Sequence, residues 1–127
     1  MAIRTELTVR LQNTPGAASR VCQILARERV NLLAFQLEAT GIMRLLADNP
    51  VHGGAALRDH HYQVEERQVL YTSLPNDPGA LGRLLQLFAE AGVNLEYFYG
   101  TAVEGHPMAA IVVGVPDARR ASAAAGV

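Results

Sequence analysis

Residues 13–20 read NTPGAASR and residues 76–83 read NDPGALGR, so a chain of 127 residues states one eight-residue phrase twice. The offset of 63 from Asn13 to Asn76 holds without a gap on both sides of the phrase. Leu11 matches Leu74, Pro15-Gly16-Ala17 match Pro78-Gly79-Ala80, and Arg20 matches Arg83. Ala26 matches Ala89, Val30-Asn31-Leu32 match Val93-Asn94-Leu95, and Phe35 matches Phe98. Self-similarity at a fixed period means one structural unit used twice. Units of this size are expected over 1–67 and 68–127. A lone unit of about 60 residues buries only ~60% of its unfolded surface and is marginal, so the two copies are expected to share an interface.

Each copy has the same order of elements. Leu7, Val9 and Leu11 alternate with Thr8 and Arg10, which is strand periodicity, and Leu70, Thr72 and Leu74 repeat it. Asn13-Thr14 and Asn76-Asp77 then offer side-chain acceptors for open helix amides, with Pro15 and Pro78 suited to the first helical turn. Leu81, Leu84, Leu85, Phe88 and Ala91 form one helix face. Its counterpart is Ala18, Val21, Cys22, Leu25 and Glu28, which places Cys22 in the core. Gly92 suits a left-handed helix stop, whereas Arg29 stands in its place in the first copy. Second strands follow in NLLAFQLEA and NLEYFYGTA, then third strands in IMRLLAD and MAAIVVGV.

Aligning the third strands at an offset of 66 pairs Pro50 with Pro116, each opening a second helix, and gives the second hairpin about three extra residues around Glu104-Gly105-His106. In the second strands Phe35 and Phe98 are assigned to the core face, with Leu33 and Leu37 beside Phe35. Tyr97 and Tyr99 then fall on the sheet face away from the helices. The order strand, helix, strand, strand, helix, strand is the ferredoxin-like βαββαβ pattern, an α+β class with antiparallel sheets. The chain stops before the second copy can write its own last strand. That unit is therefore expected to lack one, leaving a sheet edge to be covered or residues 62–74 shared between the copies.

N-x-P-G-A opening the first helix and V-N-L opening the second strand, within βαββαβ units, resemble ACT domains. The tandem arrangement is similar to small stand-alone proteins built from two of them. The resemblance implies two ACT units pairing side by side and a regulatory protein that binds a small ligand, usually an amino acid, with no enzymatic activity and no cofactor. It implies ligand contacts from the loop before the first helix and from the start of the second strand. On this chain those are Asn13, Thr14, Pro15, Gly16, Ala17, Asn31 and Leu32 in the first copy. In the second they are Asn76, Asp77, Pro78, Gly79, Ala80, Leu81, Asn94 and Leu95. Serine-binding members carry a histidine two positions before the first asparagine; Leu11 and Leu74 stand there instead.

The residue types suit that chemistry. An amino acid offers a carboxylate, which open amides at a helix N-terminus and the helix dipole favour. Backbone near Gly16 and Gly79 can approach a ligand closely because no Cβ intrudes. Asparagine carries donor and acceptor together and can meet either end of a zwitterion. The same asparagines could equally brace the turns they sit in, and both readings stand at this stage. The aliphatic neighbours Leu11, Leu32, Leu74 and Leu95 lean toward an apolar or aromatic amino acid.

Composition narrows the field. Half the residues are hydrophobic and the net charge is −1, with no basic stripe of the kind nucleic-acid binding uses. No apolar run approaches the ~20 residues of a membrane span. The opening MAIRTELTVR lacks a signal peptide's apolar core, and a lone cysteine makes no internal disulfide. A cytoplasmic location is expected, without nucleic acid or membrane partners. His52, His60 and His61 lie near Glu65 and Glu66, but at no metal-binding spacing, and no catalytic constellation stands out. A homodimer and a partner enzyme are the expected associations. The rival readings are a ligand-free regulatory or interaction subunit of an amino-acid metabolic enzyme or transporter, and a small enzyme or metal protein using His60 and His61.

Overall fold

The computed structural model describes residues 2–126. It contains β1 (Ala2–Arg10), α1 (Ala17–Arg27), β2 (Leu32–Leu37), β3 (Ile42–Ala47), α2 (Pro50–Asp59), β4 (Val64–Pro75), α3 (Ala80–Glu90), β5 (Tyr97–Ala102), β6 (Met108–Gly114) and α4 (Ala118–Ala125). The chain divides into two compact units. One is Thr5–Arg67; the other takes Gln68 onward together with the opening residues before Thr5.

In the unit Thr5–Arg67 the strand order is β2-β3-β1, followed by the opening residues of β4. The β1–β3 and β2–β3 ladders are antiparallel, with Leu7 opposite Leu45 and Phe35 also opposite Leu45. Alternation sends Leu7, Val9, Met43 and Leu45 to one face, where Val21, Leu25 and Leu57 from the helices close the core. The other unit runs β5-β6-β4, antiparallel throughout, with Leu70 and Phe98 both opposite Val113. Its core is Leu70, Phe88, Ile111, Val113 and Ala121.

The second unit's missing last strand is made good by the opening of β1. β1 neighbours β4 in the sheet order, Ala2–Arg4 belongs to this unit, and the Arg4 guanidinium lies over the Tyr71 ring. Residues 2–4 thus depart from the expected division at 67/68.

The helix starts differ from the sequence expectation. Gly16 and Gly79 are the N-cap residues, in the left-handed region at φ 85° and 86°, and no side chain caps either helix. Pro15 and Pro78 therefore precede the cap and do not enter the first turn. A backbone that turns left-handed at the cap needs glycine, and it carries the preceding side chains away from the amides they were expected to satisfy. The helix stops, by contrast, are alike. Gly92 has φ 69° and Arg29 takes the same conformation at φ 56°, at a cost of roughly 1 kcal/mol for a residue with a Cβ.

The register corrects the alignment of the third strands. Leu7 opposite Leu45 corresponds to Leu70 opposite Val113, and Leu37 opposite Met43 corresponds to Gly100 opposite Ile111. The offset there is 68 and not 66. The helix caps agree, because the side chains of Asn49 and Asp117 each accept from the amide three residues on. Pro50 is equivalent to Ala118, and Pro116 sits outside its helix. The second hairpin is longer by five residues, not three.

Two core assignments also fail. Phe35, Leu33 and Leu37 are exposed, Phe35 at 65%, and Phe98 is 41% exposed. The face is right, since Phe35 and Phe98 stand opposite core residues, but β2 and β5 are the outer strands of their units and the helices do not reach over them. Cys22 is exposed as well. The buried residues of α1 are Ala17, Val21, Ile24 and Leu25, a stripe rotated from the expected one.

Candidate functional site

A hollow of about 260 Å³ lies in the second unit, between the start of α3 and the β5–β6 hairpin. Leu74 and Ile111 contribute from the inner strands, Ala80 and Leu81 from α3, and Phe98, Gly100 and Ala102 from β5. Asn76 and Asp77 form its polar end, and Ala109 and Ala110 continue its apolar wall.

The geometry follows from the long hairpin. Ala102 faces Ala109 and Thr101 faces Ala110, so the ladder continues beyond the last pair found in the first unit. The Asn76 backbone amide donates to the Pro107 carbonyl at 2.9 Å. Its side-chain amide donates to the carbonyls of His106 at 2.8 Å and Val103 at 3.3 Å. Asn76 therefore ties the hairpin tip to the loop before α3, and its Oδ1 is not used in those bonds. Asp77 Oδ1 accepts from Arg83 Nη2 at 3.1 Å. Both groups of that pair are largely exposed, so it holds a local charge pattern with little effect on stability. The Ala80 amide at the start of α3 donates to the Asp77 carbonyl at 3.3 Å, and no side chain caps the amides that follow it beside the hollow.

Several expected residues lie elsewhere. Of the second-copy set, Asn76, Asp77, Ala80 and Leu81 line the hollow; Pro78 and Gly79 do not. Arg83 folds over Gly79, its Nη1 3.1 Å from where a Cβ would stand. Asn94 lines a separate recess of about 250 Å³ with Gly92, Pro116, Asp117 and Arg120, and Leu95 packs on the core. Asn76 and Asn94 are thus not brought together within this unit. In the first unit Asn13, Thr14, Pro15 and Gly16 are exposed, while Ala17 is buried and Leu32 packs on the core. Asn31 is tied through its backbone, its amide donating to Asp48 Oδ1 at 3.0 Å and its carbonyl accepting from the Asp48 amide at 2.9 Å.

Sequence reasoning missed Phe98, Gly100, Ala102, Ala109 and Ala110. The signal for the last four was a cluster of small residues, Gly100 to Ala102 on β5 and Ala109 and Ala110 opposite them on β6, which the 66-residue offset did not bring together. Among the described residues no group of three His, Cys, Asp or Glu side chains could hold a metal ion. His60 Nδ1 lies 2.9 Å from the Ala56 carbonyl at the end of α2. No helix among the described residues is long and apolar enough to cross a membrane.

The two units share the strand, helix, strand, strand, helix order of the ferredoxin-like class. The ACT domain pair family matches residues 1–122, and the chain belongs to it. No curated protein sequence matches. Among solved structures, a protein from Bacteroides thetaiotaomicron is 30% identical with a TM-score of 0.88, covering 96% of this chain and 85% of that one. The ligand-free regulatory subunit of aspartate kinase from Thermus thermophilus is 17% identical with a TM-score of 0.73, covering 98% and 92%. The corresponding subunit from Thermus flavus is 16% identical with a TM-score of 0.64, covering 98% and 94%. At those identities the two kinase subunits are alike in fold.

Proposed function

We propose that this chain is a non-catalytic regulatory module that binds a small amino acid in the hollow of its second unit. The observation that carries the reading is the junction of an uncapped helix start, a carboxylate and an apolar cavity within one unit. Open amides of α3 would take the ligand carboxylate, assisted by the helix dipole. The Asp77 carboxylate and Asn76 Oδ1 would take the ammonium. The likeness to regulatory subunits of aspartate kinase supports a role in which occupancy is passed to a partner enzyme, with the chain acting as a homodimer in the cytoplasm. Coupling of that kind requires only that ligand bind one arrangement of the protein better than another.

One observation favours the rival reading of a ligand-free interaction subunit: the Asn76 amide is already committed to bracing the hairpin. A thermal-shift screen of the purified chain against the twenty amino acids separates the two. Ligand at a hundred times its dissociation constant stabilises by about 2.7 kcal/mol. A responder weakened by Asp77→Asn supports the sensor. Flat melting curves throughout, with a partner protein retained on purification, would support the constitutive subunit.

A further inference from the structure

Resting on that reading, we infer that the ligand is an amino acid with an uncharged, apolar side chain, and that the second unit alone supplies its side-chain pocket. The corrected register carries this. Position for position, Gly100 replaces Leu37, and residues 101–109 replace the four-residue turn 38–41. In the first unit the Leu11 amide bonds directly to the Gly41 carbonyl at 2.8 Å, so the turn closes onto the end of β1. The second unit keeps the equivalent pairing, Leu74 opposite Ala109. What differs is Gly100 in place of Leu37 and the extra rungs of Thr101 with Ala110 and Ala102 with Ala109, which extend the floor of the hollow beside the start of α3. By the same register the bulkier Ile42 stands where the second unit has Ala110, and the first unit's ladder stops at Leu37 with Met43, without the rung that Ala102 and Ala109 form in the second.

The wall then states what fits. Beyond the polar end at Asn76 and Asp77, the hollow is bounded by Leu74, Ala80, Leu81, Phe98, Ala109 and Ile111. Asp77 is its charged residue, and Arg83 already pairs with it. A ligand whose zwitterionic end occupies the loop must point its side chain along this apolar stretch. A lysine, aspartate or glutamate side chain laid along it would lose part of its hydration against Leu74, Ala80 and Ile111, while Asp77 is engaged by Arg83 and by the ligand ammonium. An aliphatic or thioether side chain gains burial.

The test is calorimetric titration of the full chain with leucine, isoleucine, valine, methionine and phenylalanine, and with lysine, aspartate and glutamate. At least one of the first group is expected to bind and none of the second. Ala102 borders the hollow and is exposed, so Ala102→Glu keeps the fold while placing a carboxylate at the apolar wall. It is expected to lower affinity for the apolar ligand by about tenfold or more. Ala39→Glu, the same change at the equivalent exposed position of the first unit, is expected to leave affinity unchanged. Tight binding of a charged amino acid overturns the apolar class while leaving the sensor reading in place. Affinity reduced by Ala39→Glu, or indifferent to Ala102→Glu, overturns the placement in the second unit. No binding by any amino acid removes the sensor reading, and this inference with it.

Discussion

Two hairpin-turn glycines share a backbone conformation and differ in what surrounds them, so together they separate two costs. Gly41 and Gly105 have φ 90° and 86°. Alanine at either pays for a left-handed conformation, roughly 1 kcal/mol. At Gly105 nothing lies within 4 Å of the added Cβ, and the cost should end there. At Gly41 the Cβ would stand 2.4 Å from the Leu11 carbonyl oxygen, a backbone atom that cannot rotate away. Relief requires the turn to lift, which sacrifices the bond from the Leu11 amide to the Gly41 carbonyl, about 1 kcal/mol. The remaining displacement costs about as much again, giving about 3 kcal/mol for Gly41→Ala. For a chain of this length each kcal/mol moves the midpoint by roughly 4 °C. Thermal unfolding followed by circular dichroism should show Gly41→Ala melting about 12 °C lower and Gly105→Ala about 4 °C lower. Equal losses, or a larger one at Gly105, would refute the packing of the first hairpin against Leu11.

Removing the amide of Asn76 by Asn76→Ala should cost about 1–2 kcal/mol and speed amide exchange in the 103–107 turn; unchanged exchange there would remove its bracing role. Asp117→Ala deletes the cap on Arg120 and should cost about 1 kcal/mol, measured by denaturant midpoint; a neutral result would mean α4 starts without it. The Arg44 hydrogen bond holds the Glu38 carboxyl below its ordinary 4.5. A depressed folded pKa adds stability above the unfolded value, lost as pH falls through the folded one. The stability difference between the native chain and Glu38→Gln should therefore be full above pH 4.5 and shrink on acidification; a difference that grows in acid contradicts the sign. Cys22 should react with a thiol reagent in the folded protein without denaturant, and protection until unfolding would restore it to the core.

The repeat made most of the architecture legible. Leu7, Val9 and Leu11 alternate with Thr8 and Arg10 because those three pack into the core with the helices, although Glu6 on the other face is buried too, and the pattern survives in both copies. What the residues could not supply was the relation between elements that are not neighbours in sequence. Pro50 and Pro116 are identical residues at unequal positions, and matching them displaced every pairing in β6 by two. Phe35 is as apolar as any core residue, yet burial depends on whether a helix spans the strand beside it. In the candidate site, Asn76 and Asp77 were readable from their motif. Gly100, Ala102 and Ala109 were not, because a cavity is written in what neighbouring strands omit. Ala102 carries little meaning alone; opposite Ala109, it helps bound a hollow.

The placement of Ala2–Arg4 beside β4 has a consequence for how the protein is made. Ala2–Arg4 are made well before the rest of the unit to which they belong. While the Thr5–Arg67 unit acquires its core, those residues must wait with their edge unsatisfied until β4 and β6 have emerged. Completing that unit therefore requires residues 2–4 to meet strands made after the Thr5–Arg67 unit. A fragment beginning at Gln68 would contain every residue of the hollow and still be one strand short of the unit that surrounds it.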